Sequence, residues 1–449
     1  MKALLVSLYA QPDLRFSNTN VYRQASSLKA DHGVDVEILT WEFDHQGKGS
    51  IAKKATRCTV PPIRSELGGL IYHLINPPNE WSELTLKPST WEDAVAFGVG
   101  VLEALRPDVV HLHHWRGLWW ILESAQRLGI RTVYSNHDWG LACLRTILVM
   151  GDGALCDGRL WVAKCTRCIW KGRSVVGKLN EVVAETAIGR SLIDAVYWSP
   201  LGHVFEQRGA VRLPLRKRVE SSLDRAQRIL SKLDAMFTPS EFGRRFFSQL
   251  GTPLDRIRVK PWYYDPIRTG KVIEPSQPFT IAYVGRVSPE KGVHLIFEAL
   301  ERVRSPEPIR LMVAGANTSE YCVGLRRKYP GQVGLHAVEW LGWSEIEPLF
   351  RSTDVSIIPS TGIDNTPLAL VEAISYRVPV IATRVPPIEE LVVAGENGYL
   401  ADYGSVESLA SAIESAVADK DRIRSGAISF PMVSSCREYT LAVKDAYVG

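Results

Sequence analysis

Thr280-Ile281-Ala282-Tyr283-Val284, followed at once by Gly285-Arg286-Val287-Ser288-Pro289-Glu290-Lys291-Gly292, is the stretch on which the reading of this chain turns. Its first five residues are apolar or β-branched without alternation, the pattern of a strand covered on both faces in a parallel sheet. The glycine that follows lets the backbone turn tightly. Val293, Ile296, Phe297 and Leu300 then recur at helical spacing. A strand, a glycine and a helix in that order put Arg286 and Lys291 in the loop at the C-terminal edge of the sheet, where open α/β sheets bind ligands. Two cations there suit an anionic group such as a diphosphate. Taken alone, the loop is equally readable as a solvated basic turn.

A second stretch downstream supports the anionic reading: Ser360-Thr361-Gly362-Ile363-Asp364-Asn365-Thr366-Pro367-Leu368-Ala369-Leu370-Val371-Glu372-Ala373. Residues 355–359 form a strand ending at a proline. Thr366 is the expected N-cap and Pro367 the first helical residue of a helix over 368–376. Free N–H groups and the helix dipole at that end would hold phosphate, with Asn365, Thr366 and Leu368 as the candidate residues around it. Asp364 in the loop and Glu372 in the second turn supply carboxylates that can accept hydrogen bonds from ribose hydroxyls. The bland reading is a capped helix carrying one surface glutamate.

The same alternation of buried strands and amphipathic helices runs through the whole chain. Expected strands are residues 3–8, 34–40, 109–113, 132–136 and 235–239, then 280–284, 309–314, 355–359, 378–383 and 398–401. A chain of 449 residues exceeds the roughly 250–300 at which one core stops growing. Two domains are therefore expected, with a proline-bearing linker (Pro266, Pro275, Pro278) near 263–278. The expected boundaries are 1–264, with a cysteine-rich insert at about 140–175; 265–425; and a C-terminal helix within 426–449 that packs back on the first domain.

In their order and spacing these motifs resemble the retaining glycosyltransferases of family four. That resemblance implies the GT-B fold: α/β, two Rossmann-like domains with parallel sheets facing across a cleft. In the family an Arg and a Lys of a G-R-x-x-x-x-K-G loop hold the donor diphosphate; here they correspond to Arg286 and Lys291. Two acidic residues with seven between them contact the donor sugar and the ribose, here Asp364 and Glu372. Leu341-Gly342, followed by Trp343, and the run Pro379-Val380-Ile381-Ala382-Thr383 also match. The sequence departs from the family at three places. Asp364 stands where glutamate is usual and is one methylene shorter. Pro386-Pro387 replace a glycine pair and offer no N–H. The loop after the first strand reads Arg15-Phe16-Ser17-Asn18-Thr19-Asn20 instead of carrying glycines.

In the first half, expected strands end at His111-Leu112-His113-His114 and at His137-Asp138. The resemblance places a histidine at the second position near the donor sugar, which makes His137 the catalytic candidate beside Asp364, Arg286 and Lys291. His113 is read either as lining the acceptor side or as a packed core residue. Cys143, Cys156, Cys165 and Cys168 form C-x12-C-x8-C-x2-C, and the C-x2-C pair is a two-thiolate ligand spacing. A structural zinc is the expected occupant, with an iron–sulfur cluster or free thiols as alternatives. No catalytic metal is expected. Cys58, Cys322 and Cys436 are read as core residues.

Formal net charge is +4, with 45% hydrophobic and 23% charged residues, the proportions of a globular enzyme and not of a nucleic-acid binder. No apolar run approaches the roughly 18 residues of a membrane span. The N-terminal residues read as a buried strand, not a signal peptide, so a cytoplasmic setting is expected. Arg208, Arg212, Arg216, Lys217, Arg218, Arg225, Arg228 and Lys232 form either a solvated helix face or a patch for anionic headgroups, where peripheral inner-membrane contact would meet a lipid-linked acceptor. The resemblance thus implies transfer of a sugar, hexosyltransferase-like, from a nucleotide-sugar to a glycan or lipid-linked glycan in polysaccharide biosynthesis. The alternatives are a sugar phosphorylase or epimerase of the same fold, or a non-catalytic scaffold with a degenerate donor site.

Overall fold

The computed structural model describes residues 1–7, 17–42, 62–64, 70–75, 88–169, 213–265, 277–342 and 346–449. The chain divides into two units. The first comprises Met1–Thr238, Arg244–Arg258 and Val443–Gly449; the second comprises Pro239–Gly243 and Val259–Ala442.

The first sheet contains β1 (Lys2–Ser7), β2 (Asp35–Glu42), β3 (Pro62–Arg64), β4 (Leu70–Ile75), β5 (Val109–Leu112), β6 (Arg131–Ser135), β7 (Ala235–Thr238) and β8 (Ile257–Val259). Their spatial order is β3-β4-β2-β1-β5-β6-β7-β8. The second contains β9 (Phe279–Val284), β10 (Ile309–Ala314), β11 (Gln332–Val333), β12 (His336–Leu341), β13 (Val355–Ile358), β14 (Val380–Thr383) and β15 (Gly398–Ala401), ordered β11-β12-β10-β9-β13-β14-β15. Pairing through the centre of both sheets is parallel; the pairs β3–β4 and β11–β12 are antiparallel. Both units are therefore α/β Rossmann-like layers, as the unbroken apolar runs predict. Every strand expected from the sequence is present, with ends shifted by at most two residues. The strands left unread, β3, β4, β8, β11 and β12, lie toward sheet edges, where strands are short and carry mixed polarity.

The second core is built as its sequence dictates. The helix Val293–Leu300 buries Val293, Ile296, Phe297 and Leu300 against Ile281, Tyr283, Leu311 and Val313 of the sheet. Fully burying one such side chain contributes about 1.5–3 kcal/mol. Phe297 stacks on Tyr329, with ring centroids 4.5 Å apart. At the N-terminal end of β13 the carboxylate of Asp354 is fully buried. It accepts from Arg424 Nε at 2.8 Å, Arg424 Nη2 at 3.0 Å and the Thr280 amide at 2.8 Å. This charge is satisfied from three sides, as a buried carboxylate must be. Cys322 and Cys436 are core residues; Cys58 lies outside the described residues.

Pro386 and Pro387 begin a short helix, Pro386–Glu389, after Val385. First-turn N–H groups have no intrahelical partner, so proline there forfeits no helix hydrogen bond. The helix Cys436–Val448 ends in the first unit, where Tyr447 Oη lies 2.7 Å from His111 Nδ1 and Arg131 Nε donates to the Ala446 carbonyl at 2.8 Å. The linker prolines Pro266 and Pro275, together with Arg15, Phe16 and Trp343, fall outside the described residues. Among the described residues no helix is long and apolar enough to cross a membrane.

Candidate functional site

In the second unit the two motifs meet at the C-terminal ends of the neighbouring strands β9 and β13. Gly285 has φ +153° and Gly292 has φ +67°, conformations that side chains resist. A Cβ on Gly292 would also fall inside van der Waals contact of the Pro359 carbonyl oxygen. The Arg286 and Val287 carbonyls are held by Tyr283 Oη at 2.6 Å and Asn317 Nδ2 at 3.2 Å. Pro289–Lys291 forms one 3-10 turn. Thr361 ties this loop to the next: its amide donates to the Glu290 carbonyl at 3.0 Å and its hydroxyl to the Pro289 carbonyl at 3.1 Å.

These ties bring Lys291 and Asp364, 73 positions apart, into direct contact. Lys291 Nζ lies 2.8 Å from Asp364 Oδ1 and 3.0 Å from Oδ2, and Ser360 Oγ donates to Oδ2 at 2.5 Å. Arg286 projects outward and pairs with Glu290 at 3.3 Å. The loop thus presents one exposed guanidinium and one ammonium held by a carboxylate, groups able to bind a multiply charged anion.

The helix beyond differs from expectation at its first turn. It runs Leu368–Ser375 with Pro367, not Thr366, in the cap position, and no side chain caps it. Thr366 instead takes φ +55°, a strained backbone for a β-branched residue, and its buried hydroxyl has no hydrogen-bond partner. Ser288 Oγ in the first loop is likewise buried and unpartnered. Orphan hydroxyls in both loops are features that strained sites carry. Neither Ser288 nor Ser360 stood out in the sequence, since a serine in a loop has many uses. Asn365 is buried, accepting from Ser240 Oγ at 3.3 Å through its side chain and from Trp262 Nε1 at 3.4 Å through its carbonyl. It orders the loop from behind. Glu372 sits half-buried in the second turn of the helix.

In the first unit the histidines cluster at the ends of β5 and β6. His137 Nε2 is 3.1 Å from His113 Nδ1, and its ring stacks on His114 at 4.9 Å. His111 joins Ser135 Oγ at 2.8 Å, and Ser7 Oγ joins His114 Nδ1 at 2.9 Å. Burial lowers every one of these imidazoles: His111 to about 3, His114 to about 4, His113 and His137 well below the usual range. The cluster is neutral at pH 7 and acts through hydrogen bonds, not charge. Asp138 is held above its ordinary value by burial while accepting from Trp115 Nε1 and the Gly140 amide.

Cys143, Cys156, Cys165 and Cys168 line one small cavity of about 20 Å³. Among the described residues no group of three or more His, Cys, Asp and Glu side chains is disposed, as it stands, to hold a metal ion. Burial raises Cys143 and Cys168 and carries Cys165 to about 12.

The basic stretch is not one exposed face. Arg225 is 4% exposed, with its guanidinium 4.3 Å from the Trp91 ring centroid, and burial lowers it to about 10. Arg228 lies 3.7 Å from Glu123. Helical periodicity turned Arg225 inward, which a charge count could not show, while Arg228 stays exposed. Arg208 and Arg212 fall outside the described residues.

Two family models match the chain: "Glycosyl transferase 4-like domain" over residues 17–176 and "Glycosyl transferases group 1" over residues 268–428. D-inositol 3-phosphate glycosyltransferase of Segniliparus rotundus is 24% identical over 440 residues, covering 94% of this chain and 82% of that protein. Lipopolysaccharide 1,2-N-acetylglucosaminetransferase of Salmonella typhimurium is 29% identical over 154 residues, covering 32% of this chain and 40% of that protein. The chain spans less than half the length of this relative and of several other curated proteins that it matches. Among solved structures, Anabaena Alr3699/HepE in complex with UDP and glucose superposes with a TM-score of 0.59 at 16% identity, covering 100% of this chain and 97% of that one.

Proposed function

We propose that this chain, a GT-B glycosyltransferase of the family-four kind, transfers a hexosyl unit from a nucleotide-sugar donor to a glycan or lipid-linked glycan, retaining the configuration of the transferred sugar. One observation carries the donor site: the Lys291–Asp364 contact, which joins the two sequence motifs at one sheet edge. In this reading the donor diphosphate takes Lys291 from Asp364 and recruits Arg286 from Glu290. Asp364, released, turns to a hydroxyl of the donor sugar. The first N–H groups of the helix Leu368–Ser375 complete the phosphate cradle, with Asn365 and Thr366 shaping the loop before it. Glu372 accepts from the ribose. The bound UDP and glucose of the Anabaena structure support a donor of this class.

The demanding event is departure of the nucleoside diphosphate. Arg286, Lys291 and the helix N-terminus stabilise the charge that develops on it by preorganised electrostatics. His137, kept neutral and oriented by His113, presents a ring nitrogen suited to hydrogen-bonding the donor sugar.

The test is thermal stabilisation by a panel of nucleoside diphosphates, with Arg286→Ala as control. A ligand bound only by the native state at about 100 times its Kd adds ~2.7 kcal/mol. A shift with one base, lost in the variant, supports the site. No shift with any base overturns it and leaves a non-catalytic scaffold as the better reading.

A further inference from the structure

The residues between the end of β6 and the helix Val162–Ile169 make a compact knuckle with little core of its own. Val149 and Leu155 bridge in antiparallel fashion, the Met150 amide donates to the Ala154 carbonyl at 2.8 Å, and the Cys156 amide donates to the Leu148 carbonyl at 2.8 Å. The helix Val162–Ile169 has no buried residue. Its residues are half-buried, partly against the helix Leu213–Leu230, and an eight-residue helix so lightly covered is marginal by propensity alone.

What the helix does direct inward are thiols. Cys165 and Cys168 line the same cavity as Cys156 from the hairpin and Cys143 from the loop after β6. Arg145 and Lys164 line it too. Arg145 Nε is buried with no hydrogen-bond partner. Lys164 reaches both Asp157 and Cys156.

We propose that these four cysteines hold one thiophilic divalent cation of the zinc class, and that this ion fastens the knuckle to the first sheet. The donor set is four soft sulfurs and nothing else, which suits a closed structural site and not a catalytic one. A cavity of about 20 Å³ has room for one small sphere among the four sulfurs. Binding requires the sulfurs to draw in to metal–sulfur distances of ~2.3 Å. Their supports permit it, since the thiols sit on two short loops and on a short helix with no fully buried residue. Four thiolates around a divalent ion leave an excess of two negative charges, and Arg145 and Lys164 stand beside them to offset it. The unpartnered Arg145 N–H gains a sulfur acceptor in the process. The proposal stands independently of any donor chemistry.

The test uses the full chain, purified without chelator under reducing conditions, and elemental analysis of zinc and iron. The expected result is about one zinc per chain and no iron, lost in Cys165→Ser/Cys168→Ser. Because that variant can fail to fold, the wild-type chain is also stripped with chelator and titrated with cobalt chloride. The expected spectrum is that of tetrahedral Co(II) bound by thiolates, saturating at about one equivalent and displaced by zinc chloride. Substoichiometric zinc with no cobalt–thiolate spectrum overturns the proposal. Full zinc retention in the folded double variant does so too, as does iron with acid-labile sulfide.

Discussion

Replacing Lys291 by Ala and Asp364 by Asn should move nucleoside diphosphate affinity in opposite directions. The two side chains hold each other at 2.8 Å and are about a quarter exposed, 26% and 25%. A pair so placed is worth about 1 kcal/mol, the upper end for ion pairs in contact with water. A lysine–phosphate contact is worth about 1.5–3 kcal/mol. Lys291→Ala forfeits that contact but no longer has to break the pair, so the net loss is about 0.5–2 kcal/mol, or roughly 2- to 30-fold in Kd. Asp364→Asn frees the lysine beforehand and should tighten binding by up to about fivefold, while lowering turnover because the sugar-facing carboxylate is gone. The double variant should resemble Lys291→Ala, since the two effects share one contact and do not add. Isothermal titration with the nucleoside diphosphate selected by the thermal panel measures all four proteins. If Asp364→Asn weakens the nucleotide as much as Lys291→Ala does, the lysine is not handed from carboxylate to phosphate, and the reasoning fails.

Further outcomes follow from the same geometry. Gly292→Ala places a side chain at φ +67° against the Pro359 carbonyl and should lower stability by about 1–2 kcal/mol from the left-handed backbone alone; an unchanged urea midpoint would contradict this. Asp354→Ala removes the buried carboxylate from the part-buried Arg424 guanidinium and from the Thr280 amide and should cost about 3 kcal/mol in denaturant unfolding, whereas a loss under 1 kcal/mol would show the pair to be dispensable. His111 ionises at about 3 in the fold and near 6.5 when exposed, so the unfolded chain binds more protons between those values. Its contribution is therefore complete above pH 6.5 and lost as pH falls toward 3, by about 1–2 kcal/mol between pH 7 and 5. Unfolding of His111→Gln should show a shallower pH dependence than wild type over that interval, and equal slopes would refute the assignment. Arg286→Ala should reduce turnover by roughly 10²-fold if the guanidinium stabilises the leaving diphosphate; near-normal turnover removes it from the mechanism.

The sequence by itself determined the layered α/β architecture. Unbroken apolar runs such as 281–284 and 311–314 read as strands covered on both faces by helices, and the spacing of Val293, Ile296, Phe297 and Leu300 supplies such a helix. It also singled out Gly285, Arg286, Lys291, Asp364 and Glu372 as candidates, through the order and spacing of the two motifs and not through either motif alone. Tertiary structure decided what one-dimensional patterns cannot carry. Lys291 and Asp364 meet because β9 and β13 are neighbours in the sheet, an adjacency that depends on strand order and not on separation along the chain. Thr366 proved to be a strained pre-helical residue and not a cap, since the proline after it took the cap position itself. Arg225 looked like surface charge and lies against two tryptophans, because burial is set by which face of a helix meets its neighbours. The four cysteines were visible as a spacing, but only the fold brings the loop after β6, the hairpin and the helix Val162–Ile169 around one cavity. Spacing constrains neighbours a few residues apart; contact between distant segments is fixed by the packing of the whole unit.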